Sequence, residues 1–536
     1  MVKILYNAHI YTQDPNNPKA TATVIDGNRF LAIGNDLEIL TQYQQPGKTE
    51  LFNLEGRTVI PGLIDAHIHL QSYALGLQKI NCEVPSRTEC LQRVRERANI
   101  ATPGEWILGH GWNQNEWLEG YGTCADLDTI TSHNPVYLTA KSLHAGWVNS
   151  AALHLAGITC DTRDPLHGRI GRGLDGSPNG ILYESAMELI ETVIPEPSIN
   201  EITEAIDSAQ TQLLKLGLTG VHDFDGSKCF SALQILDNKQ KLNLRVVKGI
   251  PLENLSHAIA LGLRSGYGSD FLTIGPVKAF ADGALGPHTA AMMVPYDNEP
   301  DNKGILMMDG EEIYEYGRQA VQNGLVLAIH AIGDRANHEV LNGYTRLREF
   351  EKGLDNLTGS PAPRHRIEHV QILHPRDLTR LSELGVIASM QPIHATSDMY
   401  MADRYWGKRS EYAYAWRTQL QYKGHLAFGS DAPVESPNPF WGLHAAITRQ
   451  RQDGSPGIKG WYPEQRISID ESINAYTWGA AYAANLENRL GMIAPGYFAD
   501  LIVLDTDPMT CEPEILYRIL PLRTMVAGKW VFDQYS

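Results

Sequence analysis

No C-x-x-C pair occurs in this chain, and no apolar run is long enough to span a bilayer. The six cysteines (Cys82, Cys90, Cys124, Cys160, Cys229 and Cys511) stand singly. That excludes a thiolate zinc motif or a disulfide ladder and fits reduced thiols. An excess of basic charge is lacking too. Lys and Arg number 45 against 62 Asp and Glu, a net charge of −17, which argues against nucleic acid or an anionic membrane as the main partner. The opening Met-Val-Lys-Ile-Leu-Tyr-Asn-Ala-His-Ile has no apolar signal core or cleavage site, so a cytoplasmic location is expected. Repeats and low-complexity tracts are absent. Gly283 and Gly286 are not followed by G-x-x-x-x-G-K, so they do not make a phosphate loop.

What is there is ordinary for a globular protein, 43% hydrophobic and 20% charged over 536 residues. That length can bury a large core in more than one structural unit. Residues 1–58 read as short strands, Lys3–Tyr6, Thr23–Ile25, Phe30–Ile33 and Thr58–Ile60, with Asp26-Gly27 as a hairpin signal. The C-terminal residues 488–536 behave alike, with strands at Asp500–Leu504 and Thr524–Phe532 and a turn at Gly528. Both ends together predict one small β-sandwich domain.

Between them, eight strand-like runs alternate with helix-length segments: Leu63–His69, Thr219–Phe224, Leu244–Gly249, Val277–Ala281, Val326–His330, Arg366–Val370, Val386–Met390 and Leu426–Ser430. Eight such units predict an α/β fold, a (β/α)₈ TIM-type barrel over 59–487, with its site at the C-terminal strand ends. The first two runs lie about 150 residues apart, far too long for one crossover. An inserted subdomain is therefore expected at 71–210, with strands at Trp106–Gly109 and Pro135–Thr139, a helix near Val148–Ala156 and a Gly-rich stretch at 168–180. It is expected to cover the pocket.

Six candidate metal ligands fall at or near those strand ends: His67, His69, Lys278, His330, His369 and Asp431. Side chains two apart on a strand share a face, so His67 and His69 can grip one ion together. The other four converge only if their strands line one barrel. Imidazole and carboxylate donors suit Zn²⁺ or a related first-row divalent ion.

These stretches resemble the amidohydrolase superfamily nearly end to end. Pro61-Gly62-Leu63-Ile64-Asp65-Ala66-His67-Ile68-His69 resembles its first strand, Gly217–Asp223 its second, and Gly491–Leu501 the segment re-entering the sandwich. Ser142–Ser150, Phe280–Gly286, His330–Asp334 and Gly429–Val434 resemble the amidohydrolase-3, YtcJ-like branch, which includes N-substituted formamide deformylases. The resemblance implies one ion on His67, His69 and Asp431 and a second on His330 and His369. It also implies a carbamylated Lys278 bridging the two; an unmodified lysine would leave a mononuclear site. A divalent ion lowers the pKa of its water from 15.7 to about 7. Asp431 would take the proton during attack on a carbonyl and pass it to the leaving amine.

The expected activity is hydrolysis of a non-peptide C–N bond in a small linear amide, such as an N-substituted formamide. Deamination or cyclic-amide hydrolysis is the enzymatic alternative, and a non-catalytic binding or regulatory barrel the other. A homodimer is expected from the size class. Candidate substrate contacts are His144, Asn149, Trp112, His222, Asp282, Tyr183 and Arg404. Asp334 is expected either to orient His330 or to cap the helix that follows.

Overall fold

The computed structural model describes residues 2–114, 117–140, 145–166, 168–358 and 363–535. The chain divides into two compact units, Met1–Tyr73 with Ile206–Ser536, and Ala74–Ala205.

The first unit holds eight parallel strands in sequential sheet order: β1 Leu63–Ile68, β2 Leu218–Asp223, β3 Arg245–Pro251, β4 Leu272–Phe280, β5 Leu327–Ala331, β6 Arg366–His369, β7 Ile387–Met390 and β8 Leu426–Phe428. β1 and β2 are buried at every residue, as expected for strands covered on both faces. β4 begins five residues before the predicted Val277. Gly275-Pro276 breaks the apolar run, but it falls where the β3–β4 ladder shifts register. A bulge tolerates a residue without an N–H there.

Closure is nearly complete. The loop after β8 is laced to the end of β1, with Asp431 N–H donating to the His67 carbonyl at 2.7 Å and His69 N–H to the Ala432 carbonyl at 2.9 Å. Gly429 permits this approach, because a Cβ there would lie 2.5 Å from the His67 nitrogen. Between β4 and β5, helix Gly310–Gln322 starts at a capping box, Asp309 accepting from Glu312 N–H and Glu312 accepting from Asp309 N–H, both at 3.0 Å. It buries Ile313, Gly317 and Ala320, the stripe a 3.6-residue period presents to a barrel.

Both chain ends share one mixed eight-stranded sheet. Thr49–Pro61 pairs parallel to Val2–Tyr11 on one side and antiparallel to Leu501–Leu504 on the other. The predicted hairpin forms between Ala22–Asp26 and Arg29–Gly34, with Gly27 at φ 60°. A paired, buried ion bridge ties this region to the barrel: Arg245 holds both oxygens of Asp500, at 2.6 and 3.0 Å.

The second unit is a six-stranded sheet, ordered Gly168–Arg172, Pro178–Glu184, Ala145–Val148, Val136–Ala140, Ile107–Trp112 and Ile80–Asn81. The Gly-rich stretch at 168–180 holds the strand Gly168–Arg172 and the start of Pro178–Glu184. Gly180 in that hairpin meets Val148 and Cys124 backbone so closely that a Cβ would lie 2.6 Å away. Helix Ser150–Leu155 follows the expected position. Among the described residues, no helix is long and apolar enough to cross a membrane.

Candidate metal centre

Four of the six predicted ligands are histidines and one is an aspartate, and the barrel gathers all five side chains at its C-terminal end. His67 Nε2 lies 3.5 Å and His69 Nε2 3.4 Å from Asp431 Oδ1. These three donors lie within 4.8 Å of one another. The His369 ring centre is 4.8 Å from that of His67 and 4.6 Å from that of His330. Two of these positions use left-handed backbone, His369 at φ 75° and Asp431 at φ 62°. Such conformations store strain and cluster at functional sites. Side-chain exposure is 29% at His69 against 1% at His67, so the cluster opens to solvent on the His69 side.

Buried acceptors brace the histidines from behind. His67 Nδ1 donates to Glu368 Oε2 at 2.6 Å, His69 Nδ1 faces Asp225 Oδ1 at 3.2 Å, and His369 Nδ1 faces Gln391 Oε1 at 2.9 Å. Beneath His67, Arg366 binds Glu368, the Ser389 hydroxyl and the Ala66 carbonyl. Asp65 accepts the backbone N–H groups of His67 and Ser430 at 3.0 Å each, together with the Ser430 hydroxyl. One carboxylate thus joins the β1 and β8 segments that carry His67 and Asp431. Burial pushes the Asp65 carboxyl up to about 7.

The donor set fits a divalent cation. His67 Nε2 is buried and has no hydrogen-bond partner among the described residues, a costly state unless something accepts its lone pair. Burial lowers the pKa of His67 and His369, so both stay neutral, as ligands must be. At His69 burial acts in the same direction, but Asp225 and Asp431 overcome it and push the group up to about 9. The two carboxylates draw positive charge to that nitrogen, whether proton or metal. Burial would raise Asp431, yet the surrounding histidines hold it well below the usual carboxylate range.

A barrel of this order with this donor set narrows the choice sharply, and sequence comparison decides it. The profile of the amidohydrolase family matches residues 50–532. The chain belongs to the amidohydrolase family. This amidohydrolase is 34% identical to Protein LONG AFTER FAR-RED 3 of Arabidopsis thaliana, over 94% of this chain and 87% of that one. It is 31% identical to putative amidohydrolase YtcJ of Bacillus subtilis (strain 168), over 100% of both chains. It is 28% identical to N-substituted formamide deformylase of Arthrobacter pascens, over 98% and 97%. These relatives put it in the YtcJ-like branch. Among solved structures, an uncharacterized metal-dependent hydrolase from Pyrococcus furiosus matches with a TM-score of 0.78 and 30% identity, over 95% of this chain and 100% of that one. The chain is accordingly a hydrolase of a metal-dependent family.

In this amidohydrolase, Lys278 on β4 is buried beside the cluster, its Nζ 4.4 Å from the Phe280 ring centre and 5.4 Å from that of Phe224. Burial lowers its pKa to about 8, partly offset by Glu368 and Asp431. His330 Nε2 bonds the Gly283 carbonyl at 2.9 Å and lies 3.5 Å from Asp282.

The structure commits most of the expected substrate contacts to partners of their own. Asn149 caps helix Ser150–Leu155, and its carboxamide uses all four hydrogen-bonding positions, accepting from Ala152 and Val136 N–H and donating to the Thr131 and Asn134 carbonyls. It has nothing left to offer a ligand. Trp112 is core, packed with Trp117 and Trp147 and donating to the Leu138 carbonyl at 2.8 Å. Tyr183 is half-buried between Arg169 and Tyr121. Arg404 is exposed near the end of helix Pro392–Tyr405, against Tyr405. His222 is buried inside the barrel with Nδ1 taken by Arg366 at 2.8 Å. Asp282 is spent on three backbone N–H groups, of Ala291, Ile332 and Gly333. Asp334 accepts Met293 N–H at 2.8 Å; Asp282, not Asp334, is the carboxylate beside His330. His144 lies outside the described residues.

Sequence reasoning missed His394, whose Nε2 lies 3.7 Å from Asp431 Oδ2. It sits in the first turn of helix Pro392–Tyr405, just past β7, and a histidine closely following a strand end was the available signal. Glu368 was missed although it adjoins His369, because strand alternation sets neighbours on opposite faces. The left-handed turn at His369 removes that separation.

Proposed function

We propose that this amidohydrolase hydrolyses a non-peptide C–N bond in a small linear amide, such as an N-substituted formamide. The observation that carries the reading is the convergence of His67 Nε2 and His69 Nε2 on one oxygen of Asp431, while its second oxygen faces His394. One carboxylate can then touch a cation and still manage a proton. Imidazole and carboxylate donors favour zinc. Bound at His67, His69 and Asp431, it would supply Lewis acidity and a water that ionises near neutral pH. His330 and His369 are the proposed holders of a second ion.

Asp431 takes the proton as the water oxygen bonds to the carbonyl carbon, then delivers it to nitrogen as the C–N bond breaks. Water is consumed, and carboxylate and amine leave. Lys278 is proposed to carry a carbamate. With its pKa lowered to about 8, a fraction of the amine is neutral at pH 7, the form that adds CO₂ and releases a proton. The formamide deformylase relative supports the substrate class.

The test is product analysis on a panel of N-substituted formamides and longer amides. The expected result is equimolar amine and carboxylate, lost on chelation and restored by zinc. Ammonia as the released nitrogen would favour the deaminase alternative, and no turnover on any amide would reject the reading. Intact-mass analysis carrying one extra CO₂ on a lysine tests the carbamate.

A further inference from the structure

Each histidine around the cluster has one ring nitrogen tied to a neighbour, and that neighbour dictates what the other nitrogen can do. His67, His69 and His369 are tied through Nδ1 to Glu368, Asp225 and Gln391 oxygens, and His330 through Nε2 to the Gly283 carbonyl. All four neighbours accept. The tied nitrogen therefore carries hydrogen, and the free one offers a lone pair to a cation.

His394 is tied the other way. Its Nδ1 lies 3.3 Å from the amide nitrogen of Gln371, which can only donate. A neutral His394 then carries its hydrogen on Nε2. That nitrogen is buried, has no partner among the described residues, and lies 3.7 Å from Asp431 Oδ2. The ring is parallel to that of His369, at 15° and 6.2 Å between centres. His369, His394 and Asp431 offer atoms within 4.8 Å of one another, yet an N–H has the wrong polarity for a ligand.

We infer that His394 is a catalytic residue donating its Nε2–H to the carbonyl oxygen of the amide, and that Gln371 is a positioning residue holding the hydrogen there. The inference rests on the hydrolase reading above. As the water oxygen bonds to carbon, the carbonyl π pair moves to oxygen, where the His394 hydrogen bond stabilises it. When the pair returns, the C–N bond breaks, and nitrogen takes the proton that Asp431 holds. His394 ends with the hydrogen it began with. The donor stands beside the carboxylate that manages the water's proton, where the attacked carbonyl must lie. Gln371 follows His369 and Val370, at φ 75° and 44°. That left-handed pair turns the chain so that His369 and Gln371 both serve the site.

The experiment uses the zinc-loaded full-length protein and the variants His394→Ala, His394→Gln and Gln371→Glu. For His394→Ala the expected result is a fall in kcat of about 10²–10³-fold, the usual loss for one oxyanion donor, with zinc per chain unchanged. His394→Gln keeps an N–H donor and should recover part of the rate, which also guards against misfolding as the cause. Gln371→Glu places an acceptor on Nδ1, moves the hydrogen off Nε2, and should lower kcat with His394 intact. Loss of zinc in His394→Ala, or kcat within about three-fold of wild type in that variant, overturns the proposal. Nitrogen-15 spectra of histidine-labelled protein read the tautomer without any substrate. The resonance lost in His394→Ala should report Nε2–H in wild type and move in Gln371→Glu; Nδ1–H in wild type overturns the proposal. An enzyme inert toward every amide would end the hydrolase reading while the tautomer and zinc results stand apart from it.

Discussion

His67 Nδ1 and Glu368 Oε2 are 2.6 Å apart, with both side chains buried. Burial alone would raise the Glu368 carboxyl, but Arg366 and His67 hold it well below the usual range. The pair does two jobs. It compensates the buried Arg366, and it fixes the His67 tautomer so that Nε2 faces the cluster.

Removing Glu368 should damage both. Glu368→Ala is expected to weaken zinc binding by about 10–100-fold, the usual effect of losing a histidine's supporting carboxylate. It should also destabilise the fold by about 3–5 kcal/mol, because a buried cation loses its partner. Glu368→Gln keeps an acceptor for His67 and should lose less affinity. Chelator competition and urea unfolding measure the two effects; unchanged affinity in the alanine variant contradicts the bracing role.

Asp431→Asn should lower kcat by about 10²–10⁴-fold, the range for a general acid–base residue, with the fold retained. Asparagine is the substitution to make because residue 431 sits at φ 62°, which Asn tolerates better than Ala. Circular dichroism checks the fold and steady-state kinetics the rate. Near-normal turnover would remove Asp431 from the mechanism.

Away from the cluster, acid should weaken the barrel through His365. Its Nδ1 accepts Leu327 N–H at 3.0 Å and its Nε2 meets Glu351 at 2.6 Å, so the ring is neutral. Burial lowers its pKa in the fold, so below about 6.5 the unfolded chain takes up a proton that the folded chain refuses. Glu351 is also depressed, burial being outweighed by His365 and Arg348; its contribution is present above its unfolded pKa and lost as pH falls. His365 therefore reduces stability as pH drops below about 6.5, and Glu351 adds to the loss only below about 4.3, the ordinary glutamate pKa. The urea midpoint should fall between pH 6.5 and 5, and His365→Asn should flatten that slope. Equal slopes would refute the assignment.

Asn149→Ala should act on stability alone. It removes a helix cap, which costs about 0.5–2 kcal/mol, and strands buried backbone groups, which costs about 1–3 kcal/mol more. A lower thermal midpoint with unchanged kcat below it is the expected outcome. A fall in kcat under folded conditions would return Asn149 to the substrate site.

Much of the fold was legible because the barrel strands are short apolar runs punctuated at regular intervals, and burial on both faces leaves that imprint directly in composition. Gly275-Pro276 misled the start of β4 because a bulge looks like a break when the partner strand is unseen. The Gly-rich stretch at 168–180 carried no strand signal for a related reason: a glycine such as Gly180 serves close backbone approach within a sheet.

By itself the sequence determined the order of eight strands and the residues at their ends, because His-x-His on one strand and a lone His or Asp after another are local facts. The tertiary structure decided which residues touch. Asn149, Trp112, His222 and Asp282 looked available in sequence but are consumed by hydrogen bonds or packing, since a polar group buried by folding must find a partner. Glu368, Gln371 and His394 entered the site only because strands distant in the chain closed on one another. Which nitrogen of each histidine holds its hydrogen depends on neighbours as far as 301 residues away, and no local pattern encodes that.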